Sequence, residues 1–413
     1  MRTGSQAAGV PPFHAMAMAR RAAELEASGR RILHLEVGQP STGAPAVACQ
    51  AVARQLAAGD PLGYTNAPGH YGLRRALAAR YGTLHGIDVS PDDVMVVGGA
   101  SAGFTLAFLA AFDPGDRVGV LEPGYPCYRN VLLALGMVPV PIPVGADTRW
   151  APTRELLDAA MGDPSTGTAS LRGLVIASPS NPTGTVLDAA SLATIAAWCA
   201  AHDVQLVADE IYHGITYNGP APTVLAVTRD AVLINSFSKY WSMTGWRIGW
   251  MVVPQHLRDA IERLQQNVYI CAPHIAQVAG LAALADEATV ELDAHVRRYA
   301  ANRRLLVDGL ATAGITAIAD ADGAFYVYAD VAHLTGAAGQ VAGSTIGPAA
   351  GSMIGPAAGS TALCSRWLHE LGVATTPGLD FDLARGEQFV RFSYAGTAAT
   401  VTAACDLLLA WKP

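Results

Sequence analysis

The chain has 413 residues, of which 51% are hydrophobic and 15% charged, with a formal net charge of −7. That length and apolar content suit two domains, or one large α/β unit with a smaller one appended. The acidic balance argues against a nucleic-acid partner, and the arginines of Arg297-Arg298 and Arg303-Arg304 read as a solvated helix face.

Short apolar runs recur along the chain with helical patterns between them. Val94-Met-Val-Val97 predicts a buried strand. The uncharged stretch continues to Phe112, a membrane-like length, but Gly98, Gly99, Ser101 and Gly103 interrupt it and Asp113-Pro-Gly-Asp116 ends it. A strand, a glycine turn and a buried helix are expected there, not a span. The turn Gly98-Gly-Ala-Ser-Ala-Gly103 puts backbone N–H groups at a helix start, where they can cradle a phosphate. It matches neither the Walker pattern nor the dinucleotide fingerprint.

Arg117 to Leu121 predicts the next strand, followed by Glu122-Pro-Gly-Tyr125-Pro126. Tyr125 at a strand end suits stacking on a planar ring or a core position in a proline turn, and both readings stay open. Leu174 to Ser178 is a third strand, with the turn Asn181-Pro-Thr-Gly184 beyond it. Leu192, Ile195, Ala196 and Cys199 line one helical face. Val204 to Ala208 is a fourth strand and ends on Asp209-Glu-Ile-Tyr212. Asp209 is therefore expected to be buried and to need a cationic partner, unless it caps a helix. Tyr212 faces the same side if a helical turn begins there. Glu210 reads as a neighbouring salt-bridge or surface group, and His213 as a structural or a site histidine.

Ala231 to Asn235 leads into Ser236-Phe-Ser-Lys239, and Thr244-Gly-Trp-Arg247 follows closely. A lysine at the mouth of a buried strand, near a cation such as Arg247, has a lowered pKa and a nucleophilic amine. Such an amine condenses with carbonyls, including the aldehyde of pyridoxal phosphate, and Ser236 and Arg247 are natural phosphate partners. Leu257, Ile261, Leu264 and Val268 form a further helical face. Trp241, Trp246 and Tyr71 suit an aromatic pocket or core packing equally.

The last third changes character. It predicts a helix from Leu292 to Leu310, strands near Gly323 to Tyr328 and Phe389 to Ser393, and a helix around Leu363 to Leu371. Between them, Gly343-Ser-Thr-Ile-Gly-Pro-Ala-Ala350 is repeated as Gly351-Ser-Met-Ile-Gly-Pro-Ala-Ala358. That composition predicts a surface loop, with a substrate lid as the minority reading. Arg391, inside an apolar strand, must find an anion such as a carboxylate or an internal partner. The strand–helix alternation implies a mostly parallel sheet covered by helices, with ligands beyond the carboxyl strand ends. The expected division is a large domain over 46–290 and a small α+β domain from 1–45 and 291–413, carrying a repeat loop at 336–361. Cys49, Cys127, Cys199, Cys271, Cys364 and Cys405 form no C-x-x-C pair, which favours reduced thiols in a cytoplasmic enzyme and no metal site. No leader pattern opens the sequence.

Taken in order, Leu35-Glu-Val-Gly38-Gln-Pro40, Tyr64-Thr-Asn-Ala-Pro-Gly69, Leu73-Arg74, Gly-Tyr-Pro, Asn-Pro-Thr-Gly, Asp-Glu-Ile-Tyr, Ser-x-Ser-Lys, Gly-Trp-Arg and Arg391 resemble the class I/II aminotransferases, the fold-type I pyridoxal-phosphate enzymes. The resemblance spans nearly the whole chain. It implies that Lys239 carries pyridoxal 5′-phosphate covalently and moves the substrate proton. Asp209 would pair with the pyridinium nitrogen, Asn181 and Tyr212 with the phenolic oxygen, and Tyr125 would stack on the ring. Ala100, Ser101, Ala102, Ser236, Ser238 and Arg247 would hold the phosphate. Tyr64 would reach the phosphate of a second subunit, which implies a homodimer with shared sites. Gly38, Asn181 and Arg391 would hold the substrate. Ala100 would contribute only its backbone, and the octapeptide repeat has no counterpart in the family pattern. The implied activity is exchange of an amino group between an L-amino acid and a 2-keto acid by a ping-pong mechanism. A carbon–sulfur β-lyase or synthase of the same fold, and a non-catalytic binding or regulatory protein on this scaffold, are the alternatives.

Overall fold

A computed structural model describes residues 4–335 and 359–412. The two octapeptides, and most of the expected 336–361 loop, lie outside these residues. The strands are β1 Leu33–His34, β2 Val94–Val97, β3 Arg117–Glu122, β4 Val138–Pro143, β5 Leu171–Ala177, β6 Gln205–Asp209, β7 Val232–Ser236, β8 Gly249–Val252, β9 Tyr326–Asp330, β10 Val373–Ala374, β11 Thr376–Pro377 and β12 Phe389–Ser393.

Seven strands form one sheet in the order β2-β8-β7-β6-β5-β3-β4. β8 pairs antiparallel with both β2 and β7, and the remaining pairs are parallel, so β8 alone runs against the others. The inner strands β7 and β8, and the edge strand β2 beside β8, are buried at every residue. Helices cover both faces, which is why these strands read as continuous apolar runs rather than alternating ones. The expected stretch from Val94 to Phe112 is strand β2, a turn at Gly98-Gly99 and helix Ala100–Ala111.

Helix Ala189–Ala201 starts where the Asp188 side chain accepts the Ser191 N–H, and it buries Leu192, Ile195, Ala196 and Cys199 as expected. Helix Arg258–Val268 departs from expectation. Val268 is exposed, and the inward position falls to Gln265, whose amide donates to the Val96 carbonyl at 3.2 Å. Helix Asp286–Thr312 also corrects one reading. Arg303 is half-buried and donates to the carbonyls of Ala321 and Asp320, both at 2.7 Å, so it ties the helix to the following loop.

The antiparallel sheet β11-β12-β9 places Arg391 opposite Tyr328 on one side and Thr376 on the other. β1 pairs in parallel with β10, which joins the N-terminal segment to the C-terminal third. Helix Ser360–Arg366 continues as a wider turn over Trp367–Leu371. No helix of the described residues is long and apolar enough to cross a membrane. All six cysteines are free thiols.

Candidate active site

Six of the polar motifs converge because of the sheet's direction. β2 ends before Gly98, β3 at Glu122, β5 before Asn181, β6 at Asp209 and β7 before Ser238-Lys239, all at the carboxyl edge; β8 runs the other way, so Arg247 reaches that edge just before it starts. A cavity of about 260 Å³ opens there, close to the small end of the range for ligand sites. Ala100, Ser101, Tyr125, Asn181, Asp209 and Tyr212 line it, as do Ser238, Lys239 and Arg247. Gly38 and Arg391 close it from outside the sheet.

Lys239 Nζ donates to the Gly38 carbonyl at 2.7 Å and lies 6.0 Å from the centre of the Tyr212 ring. Burial is the main cause that lowers its pKa, to about 8; the Arg391 and Arg247 charges lower it further, and Asp209 opposes them. The expected direction holds, with Arg391 ahead of Arg247 among the cations. Asp209 is buried at the end of β6. Its carboxylate accepts the Tyr128 hydroxyl and the Ile211 N–H (2.9 Å). Burial raises its pKa to about 6, against the pull of those two donors and of Lys239. No helix follows Asp209; residues 211–214 form a turn, and this turn carries Tyr212 back into the cavity.

Arg391 is buried. Its guanidinium donates to Asn181 Oδ1 (2.9 Å), the Glu36 carbonyl and Thr376 Oγ1 (3.2 Å), and lies over the rings of Tyr326 (4.4 Å) and Phe381 (4.8 Å). Its Nε keeps no partner among the described residues. Gly38 is required by contact: a Cβ there would sit 1.6 Å from the Tyr326 hydroxyl. Gly99 has φ +85°, and a Cβ on it would meet Arg247 Nη2 at 2.4 Å. The N–H groups of Ala100 and Ser101 find no acceptor among the described residues, whereas Ala102 donates to the Gly99 carbonyl at 3.1 Å.

The chain matches the family model described as aminotransferase class I and II over residues 30–408. It is 47% identical over 408 residues to the valine–pyruvate aminotransferase of Mycobacterium tuberculosis, covering 98% of this chain and 97% of that one. The chain belongs to the class I and II aminotransferases. A crystal structure of an aminotransferase from M. tuberculosis superposes with a TM-score of 0.90 at 46% identity, covering 100% of this chain and 99% of that one. A putative aminotransferase from Silicibacter pomeroyi gives 0.86 at 43%, covering 99% of each. These likenesses make the chain an amino-acid aminotransferase with the aspartate-aminotransferase-like fold, and they remove the need for the lyase and non-catalytic alternatives.

Not every residue expected at an aminotransferase site lines this cavity. Ser236 is fully buried behind Ser238, with Oγ 2.8 Å from Ser238 Oγ and 2.9 Å from the Ile248 carbonyl. Ala102 sits in the first turn of its helix but is absent from the cavity lining. Tyr64 is 83% exposed and is absent from the lining of its own chain's cavity. Glu210 is buried, not at the surface: it accepts the Thr223 hydroxyl and the Val224 N–H (2.7 Å), lies 3.3 Å from His213 Nδ1, and burial raises its pKa to about 8. His213 packs there as a structural histidine, pushed by burial to about 3. Trp241 is a core residue packed on Phe237 and Trp250, and Tyr71 is exposed.

Four contributors escaped the sequence reading. Tyr128 lies three residues after Tyr125, one helical turn along, and that spacing was a usable signal. Tyr326 bonds Tyr212 hydroxyl to hydroxyl at 2.8 Å, inside a strand that reads as core. Phe13 and Met16 line the cavity from the N-terminal segment, and no local pattern marks them.

Proposed function

We propose that the chain is a pyridoxal-phosphate-dependent aminotransferase that takes an amino acid with an aliphatic side chain as donor and a short 2-keto acid such as pyruvate as acceptor. The observation that carries the cofactor assignment is the pairing of Lys239 with a buried Asp209 across one cavity. The residues present fit the group. Ala100 and Ser101 offer two unspent N–H groups at a helix start, Ser238 and Arg247 stand beside them, and Gly99 leaves room for the guanidinium. Asp209 and Tyr125 would hold the ring from its nitrogen and its face, and Asn181 and Tyr212 would hold the phenolic oxygen. When bound, the ring supplies an electron sink for the bond broken at the substrate Cα.

The chain's own groups do the rest. Lys239 Nζ, with its pKa near 8, is neutral in a substantial fraction at mildly alkaline pH and can take the proton from the substrate Cα. Asp209 stays ionised above about pH 6 and favours a cation beside it. Arg391 presents a planar fork to the substrate carboxylate, with Asn181 and the Gly38 backbone beside it. Once both substrates are served in turn by this one site, the kinetics are ping-pong.

The aliphatic preference rests on what faces the substrate. Lys239, Arg247 and Arg391 are the cations of the described lining. Arg247 lies against Gly99 at the phosphate end, so Arg391 alone is left for a carboxylate, while Phe13, Met16, Val37 and Ile211 form an apolar wall. The relative that is 47% identical is named for valine and pyruvate.

Further parts of the reading are a homodimer, two domains and a cytoplasmic setting. Exposed Tyr64, Tyr71, Ile270 and Leu281 support a subunit face from which Tyr64 reaches the second site. The seven-stranded sheet falls within 46–290, and the smaller sheets fall within 1–45 and 291–413. Free thiols suit a reducing compartment.

The test is a half-reaction screen of the yellow holoenzyme with each amino acid, after borohydride fixation has located the cofactor. Label on the Lys239 peptide and fastest conversion by valine-like donors are expected. Label elsewhere, or fastest conversion by aspartate or glutamate, overturns the reading.

A further inference from the structure

Asp380 and Phe381 touch three walls of the cavity at once. The buried Asp380 carboxylate accepts the backbone N–H of His14 (2.8 Å) and of Ala15 (2.7 Å). These are the first two N–H groups of helix His14–Ala27, and they have no acceptor within a helix. Phe13, at the N-cap position, has no side chain to cap them. The cap therefore comes from 365 residues away, and it carries the charge that a helix N-terminus favours. The Asp380 carbonyl accepts from Arg129 Nη2 at 3.2 Å, and the Phe381 carbonyl from the Gly124 N–H at 2.9 Å, beside Tyr125. The Phe381 ring lies 4.8 Å from the Arg391 guanidinium.

The structure assigns Asp380 as a positioning residue that selects the substrate's side chain. It clamps the first turn of helix His14–Ala27 so that Phe13 and Met16 close the apolar wall of the cavity that Arg391 also lines. Apart from the buried Ala15 in the same turn, little else holds them there. Helix Ser5–Gly9 upstream buries no residue, Phe13 meets Tyr125 edge-on with ring centres 6.2 Å apart, and Met16 is exposed on its outer side. Further along, Ala22 docks the same helix among Ile32, Leu368 and Ala374, so loss of the clamp frays one turn and leaves the fold intact. Arg391 and the Tyr125 loop are held by the same dipeptide, which keeps the apolar wall in register with the carboxylate site.

The inference rests on the aliphatic-donor reading, and the experiment separates the two. Asp380→Ala, Asp380→Asn, Phe13→Ala and the double variant Phe13→Ala with Asp380→Ala are compared as holoenzymes with a branched aliphatic donor and with alanine. KM for the branched donor should rise about tenfold in the Asp380 variants, the loss expected when a helix cap is removed. Alanine, which does not reach the wall, should move less, kcat should hold, and cofactor affinity and absorbance should stay as in the wild type. In the presence of Phe13→Ala, the Asp380 substitution should add little further loss, because both remove one contact. Equal losses for the two donors, or additive losses in the double variant, would overturn the clamp. A wild-type preference for dicarboxylic donors overturns the donor reading alone; an unmoved KM for whichever donor the wild type prefers overturns the clamp alone.

Discussion

Lys239 and Asp209 stand at strand ends of one seven-stranded sheet and are fixed by its backbone ladder, whereas Arg391, on the separate three-stranded sheet, and Gly38 and Phe13, on the N-terminal segment, are joined to them across the cavity by side-chain contacts. On the first side, β6 and β7 pair in parallel over Val207–Asp209 and Val232–Ile234, so the two ends cannot slide without breaking the sheet. On the second, single contacts set the geometry: Lys239 to the Gly38 carbonyl, Arg391 to the Glu36 carbonyl, Asp380 to the His14 and Ala15 amides. The rigid side suits chemistry that must not vary. The side-chain-tied side suits selection, because one contact can change there without loss of the fold.

The largest effect should come from the rigid side. Lys239→Ala removes the amine that takes the proton, and kcat should fall by at least about 10⁴-fold, the upper end of general acid–base catalysis. Its far-ultraviolet circular dichroism should match the wild type, since Lys239 makes one hydrogen bond to the protein. Borohydride should no longer fix cofactor to the chain; persistent fixation would move the covalent link elsewhere.

Across the cavity, Arg391→Gln should raise KM for the amino acid by about 10- to 100-fold, the value of one charge-assisted bond of roughly 1.5–3 kcal/mol. Steady-state kinetics with kcat little changed would mark a group that binds the substrate and its transition state alike. A collapse of kcat with KM unmoved would place Arg391 on the chemical side of the comparison.

The two sides also differed in how far the chain's pattern revealed them. Each strand-end residue follows its own apolar run within a few positions, so Lys239, Asp209, Asn181 and Tyr125 were marked by local signals. Arg391 was marked by its charge inside an apolar strand, with the choice between a substrate carboxylate and an internal partner left open, and Gly38 gained a role only through family resemblance. Phe13, Tyr326 and Asp380 carried none, because their contacts join positions hundreds of residues apart, and periodicity reports only what neighbours in the chain do. Glu210 misled for a related reason: its partners Thr223 and Val224 lie beyond the turn and make a buried carboxylate acceptable. Val268 kept the helical period but fell past the end of the packed face, where Gln265 turns inward instead.

Gly38→Ala sharpens the contrast at a smaller scale. The added methyl would overlap the Tyr326 hydroxyl, so strand and ring must shift, at a cost of about 1–3 kcal/mol for an overpacked core position. Calorimetry should show a lower Tm, and KM should rise because the Glu36 and Gly38 carbonyls position Arg391 and Lys239. Tyr326→Phe in the same chain should return part of both losses by removing the atom in closest contact. If the double variant is no better than Gly38→Ala, the constraint lies elsewhere in the segment.

The smallest effect joins the two sides through charge alone. The Lys239 pKa is lowered to about 8, mostly by burial, and Arg391 is the largest charge that adds to the lowering. Only the neutral amine condenses with an aldehyde, so the cofactor-free protein should take up pyridoxal phosphate faster as pH rises, with the limb centred near 8. In Arg391→Gln a cation is gone, the charged amine becomes less unfavourable, and the pKa must move up toward the ordinary lysine value. The limb should therefore shift to higher pH, while Arg247→Gln, the lesser cause, should shift it less. Uptake followed by absorbance across pH 6.5–9.5 reads this directly. A limb that moves down in Arg391→Gln would mean that the guanidinium and the amine do not share one cavity in solution.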